Sequence, residues 1–156
     1  NCISTSTFLI VSTINGLLRN NLFTSGATVS NCYVTNNIFI NGTQLTFTNC
    51  TVKYNLAQSN VLPAGNNNQN NLSQASLFLL TGSSDGRYRL TPGSPAIAAG
   101  EPINGETPDC GPFGTADPYR LSGIPAIPTI YQLTVPAAIP SSSTSMTITV
   151  STRSNN

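Results

Sequence analysis

Histidine is missing from this 156-residue sequence. Its absence removes the most common general base of enzymes, and with it the Ser/His and Cys/His nucleophile systems. The four cysteines have no Cys-x-x-Cys spacing, and no histidine is present to complete a zinc site. The sequence therefore predicts a protein that is not an enzyme, with no catalytic residue, no cofactor and no metal ligand set.

Charge is scarce as well. Only 7% of the residues are charged, against about 25% in an ordinary soluble domain. The six basic side chains are scattered from Arg19 to Arg153 and the net charge is +1, whereas nucleic-acid binders need clustered Lys and Arg to neutralise phosphates. Nucleic acid and anionic membrane surfaces are therefore excluded as expected partners. The polar surface must consist mainly of Asn, Ser and Thr, which is common in secreted β-rich proteins.

No apolar run reaches the roughly 18 residues of a membrane-spanning helix, and the apolar stretch Phe8 to Val11, which no other exceeds, has the size of a strand. The chain begins Asn1-Cys2 without a Met or a signal peptide, which indicates a mature, proteolysed or internal piece of a longer product. We expect an extracellular or cell-surface protein, in oxidising surroundings that favour one or two disulfides.

Internal repeats are the most informative feature of the sequence. The phrase NNLFTSG at 20–26 recurs sixteen residues later as NNIFING at 36–42. The phrase NCYV at 31–34 recurs eighteen residues later as NCTV at 49–52. Short apolar runs that are separated by Asn and Gly at such intervals are typical of a coil that turns once per repeat and stacks each strand on its predecessor.

Such a stack places Phe23 and Phe39 in equivalent positions. It also places the recurring asparagines in turns, where Asn tolerates the left-handed conformation and can hydrogen-bond to the asparagine of the next coil. The expected ladder pairs are Asn20 with Asn36 and Asn31 with Asn49. The alternative is an antiparallel sandwich whose strands merely share their composition.

The segment after the repeats carries a family resemblance. Residues 85–100 read DGRYRLTPGSPAIAAG and residues 109–114 read DCGPFG. This ending resembles the one that closes many right-handed parallel β-helix proteins of the pectin-lyase-like type, secreted by Bacteroidetes-like bacteria. The resemblance implies an all-β fold with β-helix coils and a terminating segment in 1–100, followed by a proline-rich lobe with two C-terminal strands in 101–156. It implies no activity, since catalytic and non-catalytic β-helices share this ending.

Prolines and glycines explain how the segment would end the stack. Pro92 and Pro95 withhold amide donors and interrupt a regular ladder. Gly100 permits a sharp turn, and Ala96 with Ile97 offers a small apolar plug. We therefore expect this segment to terminate the coils.

Two stretches near the C-terminus alternate apolar with polar residues, which predicts a hairpin or two strands of different sheets. The second stretch, 145–152, contains no Gly, Pro or charge, so it is a candidate assembly strand that could pair with another copy. The apolar positions are Tyr131, Leu133 and Val135 in the first stretch, and Met146, Ile148 and Val150 in the second.

All acidic residues lie after the repeats, and we expect no carboxylate beside Arg19 and Lys53, the basic residues of the repeats. This distribution argues against an active site within the chain. Asp85 with Asp109 is read as a turn cap, with a calcium site as the alternative. The acidic residues are Asp85, Glu101, Glu106, Asp109 and Asp117.

Cysteines and asparagines leave further alternatives open. Cys32 and Cys50 head equivalent phrases, so they are either a disulfide or stacked buried thiols, with thiols favoured. Cys2 and Cys110 have no evident partner. Candidate N-glycosylation sequons begin at Asn41, Asn49 and Asn71.

Two functional interpretations follow. In the first, the chain is a structural or adhesive β-helix element that self-assembles into a fibre, with other copies or the remainder of a longer chain as partners. In the second, it is the C-terminal part of a polysaccharide-binding or polysaccharide-degrading protein whose active coils lie upstream. Tyr33, Tyr54 and Tyr88 would then stack on surface glycans, whereas in the first they are ordinary packing residues.

Overall fold

The computed structural model describes residues 1–40, 44–116, 118–121 and 129–153, except the side chains of 8–14, 129 and 153. The described chain is mostly β-strand, with a single-turn α-helix at Gln74–Leu77 and a short 3-10 helix at Gly86–Tyr88. It divides into two compact units, Asn1–Tyr119 and Arg120–Asn156. The boundary after residue 100 that the sequence suggested stays a prediction. No described helix is long and apolar enough to cross a bilayer.

Eight strands form two parallel sheets, and the chain passes back and forth between them. Numbered in chain order, sheet 1 contains β1 (Cys2–Ser4), β3 (Asn21–Phe23), β5 (Ile38–Phe39) and β8 (Leu56–Ala57). Sheet 2 contains β2 (Phe8–Arg19), β4 (Ala27–Thr35), β6 (Leu45–Thr48) and β7 (Thr51–Lys53), with β6 and β7 both pairing with β4. The predicted all-β class and parallel strand pairing are confirmed, and the antiparallel alternative is wrong for these strands.

Strand register follows the two sequence repeats. Phe23 pairs with Phe39, and their rings stack with centroids 5.1 Å apart. The eighteen-residue recurrence reappears in sheet 2, where Ser30 pairs with Thr48 and Tyr33 with Thr51. Each recurrence in the sequence therefore corresponds to one step between neighbouring parallel strands.

Sheet 1 is buried on both faces, because successive side chains of a strand point in opposite directions. Phe23 and Phe39 belong to an inner core that joins the two sheets. Leu22 and Ile38, one residue earlier in each strand, belong to an outer core. The inner core contains Leu18, Phe23, Ala27, Val29, Cys32, Val34, Phe39, Val52, Ala57 and Leu62.

The outer core is completed by the segment that follows the repeats. The α-helix, which begins after the capping Ser73, supplies Leu77 to this core, and Phe78 and Ala96 pack there as well. Ala96 is fully buried, but Ile97 is 45% exposed, so only half of the expected apolar plug is correct. The reason is geometric: the segment lies along the outer side of sheet 1, where only one of two successive side chains can face the sheet.

The C-terminal unit contains two antiparallel strands, β9 (Thr129–Thr134) and β10 (Thr149–Arg153), with Val150 opposite Leu133. Met146 and Ile148 precede β10. A two-stranded sheet is marginal in water without further packing. Eight large apolar side chains of this unit are about half exposed: Ile130, Tyr131, Leu133, Val135, Ile139, Met146, Ile148 and Val150.

Candidate functional site

The chain passes from sheet 2 to sheet 1 through two-residue corners. In each corner the first residue has a left-handed backbone, with φ of 53° at Asn20, 58° at Asn36 and 53° at Tyr54. Asn67 repeats this conformation with φ of 56°, just before Gln69 pairs with Leu56. Asn adopts this conformation more readily than most residues, which explains why the Asn-Asn pairs recur at this point.

The second residue of every corner is an asparagine, and these four residues form a hydrogen-bonded ladder. The side-chain amide of Asn21 donates to Oδ1 of Asn37 over 3.1 Å, that of Asn37 to Asn55 over 3.0 Å, and that of Asn55 to Asn68 over 3.3 Å. Each acceptor oxygen also receives the backbone N–H of the preceding member, over 3.0 to 3.1 Å. The asparagine ladder, Asn21–Asn37–Asn55–Asn68, thus ties each corner to the next.

The ladder runs one residue after the positions that the sequence suggested. Asn20 and Asn36 occupy the left-handed position and their side chains contact a later part of the chain instead. Two adjacent asparagines in one turn are hard to distinguish in sequence. A usable signal was present, since Tyr54 replaces the first asparagine of a pair whereas the second position stays Asn at residue 55.

Asn31 and Asn49, the other predicted pair, lie in a second turn. Both have left-handed backbones, with φ of 54° and 52°, and Nδ2 of Asn49 donates to Oδ1 of Asn31 over 3.4 Å. This long bond is exposed, so it contributes less than the buried ladder.

Residues 96–111, here called the covering segment, lie against the corners. Nδ2 of Asn20 donates to the carbonyl oxygens of Asp109 and Gly111 over 3.2 Å, and Oδ1 of Asn36 accepts the N–H of Glu101 over 2.7 Å. The carbonyl of Asn36 accepts the N–H of Gly111 over 2.8 Å. The first asparagines of the corners therefore hold the segment that follows the repeats.

Gly100 is required by this close approach. A Cβ at this position would lie 2.7 Å from the carbonyl oxygen of Pro108 and 3.0 Å from Nδ2 of Asn36. Cys110 seals the other side of the covering segment: it is 1% exposed, and its Sγ–H donates to the carbonyl of Tyr54 over 3.4 Å. Burial, assisted by the charge of Asp109, raises the pKa of Cys110 to about 12, so this thiol stays protonated at neutral pH.

A single ion pair connects the covering segment to sheet 2. Nζ of Lys53 lies 2.7 Å from Oε1 of Glu101, and the same oxygen accepts the hydroxyl of Tyr33 over 2.7 Å. Oε2 accepts the hydroxyl of Thr35 over 3.1 Å. The expectation that Lys53 has no neighbouring carboxylate was wrong, because a contact between residues so far apart in sequence is created only by folding.

The contacts of this cluster keep Glu101 and Lys53 in their charged forms. Burial raises the pKa of Glu101, but hydrogen bonds from Lys53, Tyr33 and Thr35 outweigh it and leave the pKa below its usual value. Hydrogen bonds to Glu101 and Tyr33 raise the pKa of Lys53. A general acid or base works best with a pKa near the ambient pH, and both shifts move away from it. The pair is thus suited to joining two parts of the fold rather than to proton transfer.

The tyrosines that could stack on sugars already have ring contacts. Nζ of Lys53 lies 5.0 Å from the ring centroid of Tyr33 and 6.0 Å from that of Tyr54. Tyr88 meets Phe78 edge-on with centroids 5.6 Å apart. These contacts make the three rings part of the packing around the covering segment and the outer core.

The acidic residues that were considered for calcium each cap a turn. Oδ1 of Asp85 accepts the N–H of Gly86 over 2.9 Å, at the start of the 3-10 helix, and Oδ1 of Asp109 accepts the N–H of Ala98 over 2.8 Å. Within the described ranges, no group of three metal-ligating side chains occurs. Asp117 lies outside those ranges. Burial and the nearby Asp85 raise the pKa of Tyr119, whose hydroxyl donates to Asp85 over 3.3 Å.

Two of the three predicted glycosylation asparagines lie among the described residues, as do all four cysteines. Asn49 and Asn71 are exposed and have left-handed backbones, with φ of 52° and 63°, while Asn41 lies outside the described residues. All four cysteines carry free thiols, so the expected disulfides are not formed in this structure.

Comparison of the chain with protein families, curated proteins and solved structures gives no match. The described residues offer four features that bear on function: the parallel strands, the asparagine ladder, the Lys53–Glu101 pair and the exposed apolar strands of the C-terminal unit.

Proposed function

We propose that the repeats form the coils of a right-handed parallel β-helix, and that the protein is a non-enzymatic structural or adhesive element outside the cell that assembles with copies of itself. The observation that carries the proposal is the asparagine ladder. A ladder in which every member bonds to the next gives a stack its stability through repetition. The ladder makes the stack of strands rigid, and amide side chains place no reactive group in the corners.

The absence of catalysis is argued from the ionisable groups. The sequence contains no histidine, and Lys53 and Glu101 neutralise each other in an ion pair of 2.7 Å. Their pKa values are displaced in the directions that keep both charged. A hydrolase or lyase would need one such group to exchange a proton at working pH.

The C-terminal unit supports self-assembly. Its described residues form a two-stranded sheet, and Leu133, Met146, Ile148 and Val150 are about half exposed there. Exposed strands of this kind can pair with a further strand. If the strands of one copy add to the edge of another, the contact joins unlike surfaces, and head-to-tail contacts of this type produce filaments.

Concentration-dependent assembly tests the proposal. The full chain should form filaments in negative-stain electron microscopy, and its sedimentation coefficient should rise with concentration. Fibre diffraction of these filaments should give the spacing of about 4.7–4.8 Å between paired strands. A chain that stays monomeric at every accessible concentration would contradict self-assembly, and reproducible cleavage of pectin or alginate by pure protein would contradict the absence of catalysis.

Deletion of residues 141–156 tests the role of the C-terminal strand. The truncated chain should remain monomeric while keeping the circular dichroism of the stacked strands. Deletion of 154–156 alone is the matched control and should assemble like the full chain. If the longer deletion still assembles, the contact lies elsewhere and the candidate strand of Met146, Ile148 and Val150 has no part in it.

A further inference from the structure

Cys32 lies in β4, and Cys50 lies between β6 and β7, directly before Thr51. The pairs Ser30–Thr48 and Tyr33–Thr51 flank the two cysteines with the same eighteen-residue offset, and the same offset relates Cys32 to Cys50. Paired strands lie about 4.7–4.9 Å apart, which falls within the range of about 4.4–6.8 Å between the Cα atoms of disulfide-bonded cysteines. Continued through residues 32 and 50, this register gives the spacing that a disulfide requires.

The side chains of both cysteines turn toward the same interior. Cys32 is a buried member of the inner core, and Cys50 packs against that core. Sγ of Cys32 lies 3.2 Å from the carbonyl oxygen of Ser30. Sγ of Cys50 lies 3.3 Å from the carbonyl oxygen of Thr48 and 3.4 Å from that of Val29. The Cys50 sulfur thus reaches the β4 carbonyl next to the one that Cys32 contacts. Burial, together with the neighbouring Cys50, raises the pKa of Cys32, as expected for two thiols in close proximity.

We propose that Cys32 and Cys50 form a disulfide when they react with a small-molecule disulfide such as glutathione disulfide. This cross-link would join β4 to the residue directly before β7. The thiolate of the less buried Cys50 attacks one sulfur of the oxidant, forms a mixed disulfide and releases one glutathione. The thiolate of Cys32 then attacks the Cys50 sulfur and releases the second glutathione. Two protein thiols are oxidised, one disulfide is reduced, and the two thiol protons end on the released glutathiones.

The disulfide would raise the stability of the folded chain and would leave the shape of the corners unchanged. It closes a loop of eighteen residues, which reduces the freedom of the unfolded chain. The oxidised protein should therefore unfold at a temperature roughly 5–10 °C higher than the reduced one. This inference does not depend on the proposed function, because it concerns only the stacked strands.

Peptide mapping tests the pair directly. The full chain is incubated with glutathione disulfide, blocked with iodoacetamide in denaturant without reduction, and digested with trypsin. Because no Lys or Arg lies between Arg19 and Lys53, both cysteines fall in one peptide, 20–53. The expected peptide carries no alkyl group and is lighter than the dithiol by two hydrogen atoms. Chymotrypsin should then cut after Phe39 or Phe47 and leave two fragments that separate only on reduction.

Variants distinguish this pair from other thiol chemistry. Cys50→Ser should leave Cys32 as a free thiol after the same treatment, and Cys32→Val should not form a disulfide at Cys50. Both variants should abolish the rise in unfolding temperature. Three results would overturn the proposal: alkylation of both cysteines after oxidation, a glutathione adduct on Cys50 that does not proceed further, or a bond from either cysteine to Cys2 or Cys110. Mapping does not require that the variants fold, since the wild-type chain alone supplies the main result.

Discussion

Replacing Asn37 with alanine should destabilise the stacked strands strongly, because this residue, like Asn55, is bonded more heavily than the end members of the asparagine ladder. Its side chain is fully buried and takes part in five hydrogen bonds. Nδ2 donates to the carbonyls of Leu18 and Thr35 and to Oδ1 of Asn55, while Oδ1 accepts from the backbone and side chain of Asn21.

The size of the effect follows from which groups keep a partner. Oδ1 of Asn55 still accepts the backbone N–H of residue 37, and the Thr35 carbonyl still accepts the N–H of Asn20. The N–H of Asn21 loses the acceptor it has in the ladder, and the Leu18 carbonyl loses a donor. One orphaned donor at about 1–3 kcal/mol, with a loss of about 0.5–1.5 kcal/mol at the acceptors, gives a decrease of roughly 2–4 kcal/mol in the free energy of unfolding.

Equilibrium unfolding in urea, followed by far-UV circular dichroism, measures this decrease. Asn60→Ala is the matched control, since Asn60 is exposed and its replacement should change the free energy by no more than about 0.5 kcal/mol. Asn37→Asp adds a second test, because a carboxylate would face acceptor oxygens and should destabilise more at neutral pH than at acid pH, where it is protonated. Equal unfolding free energies for Asn37→Ala and Asn60→Ala would refute the structural role of the ladder.

Three further outcomes are expected. The pKa of Glu101 is lowered in the folded state. Its contribution to stability is therefore present above the unfolded pKa of about 4.3 and is lost as the pH falls through the folded pKa. Glu101→Gln should flatten the acid side of a profile of unfolding midpoint against pH, and an unchanged profile would contradict the ion pair. Gly100→Ala should destabilise by about 1–3 kcal/mol in thermal unfolding, since its Cβ would lie 2.7 Å from the Pro108 carbonyl oxygen, and a neutral result would show that the covering segment can shift. With its pKa near 12 and almost no exposure, Cys110 should resist iodoacetamide in the native protein at pH 8 and react after unfolding; alkylation as fast as that of the exposed Cys2 would contradict its burial.

Local patterns were sufficient for the class of fold and the strand register. The sixteen-residue recurrence places Phe23 beside Phe39, and the eighteen-residue recurrence places Tyr33 beside Thr51, because parallel strands repeat the same environment at a fixed interval. The left-handed turns could be anticipated for the same reason, since few residues besides Asn and Gly adopt that conformation at low cost.

Contacts between distant segments depended on the folded chain. The pairing of Lys53 with Glu101, the hold of Asn20 and Asn36 on the covering segment, and the exposure of Ile97 beside the buried Ala96 all depend on where residues 96–111 lie against the corners. No periodic pattern relates these positions, so nothing local distinguishes Ala96 from Ile97. For the two asparagines of a corner, the local signal was Tyr54, which takes the first position while Asn55 keeps the second. The fold decides between them because only one side of each residue can face the sheet, and buried polar groups bond to whatever partners that placement brings within reach.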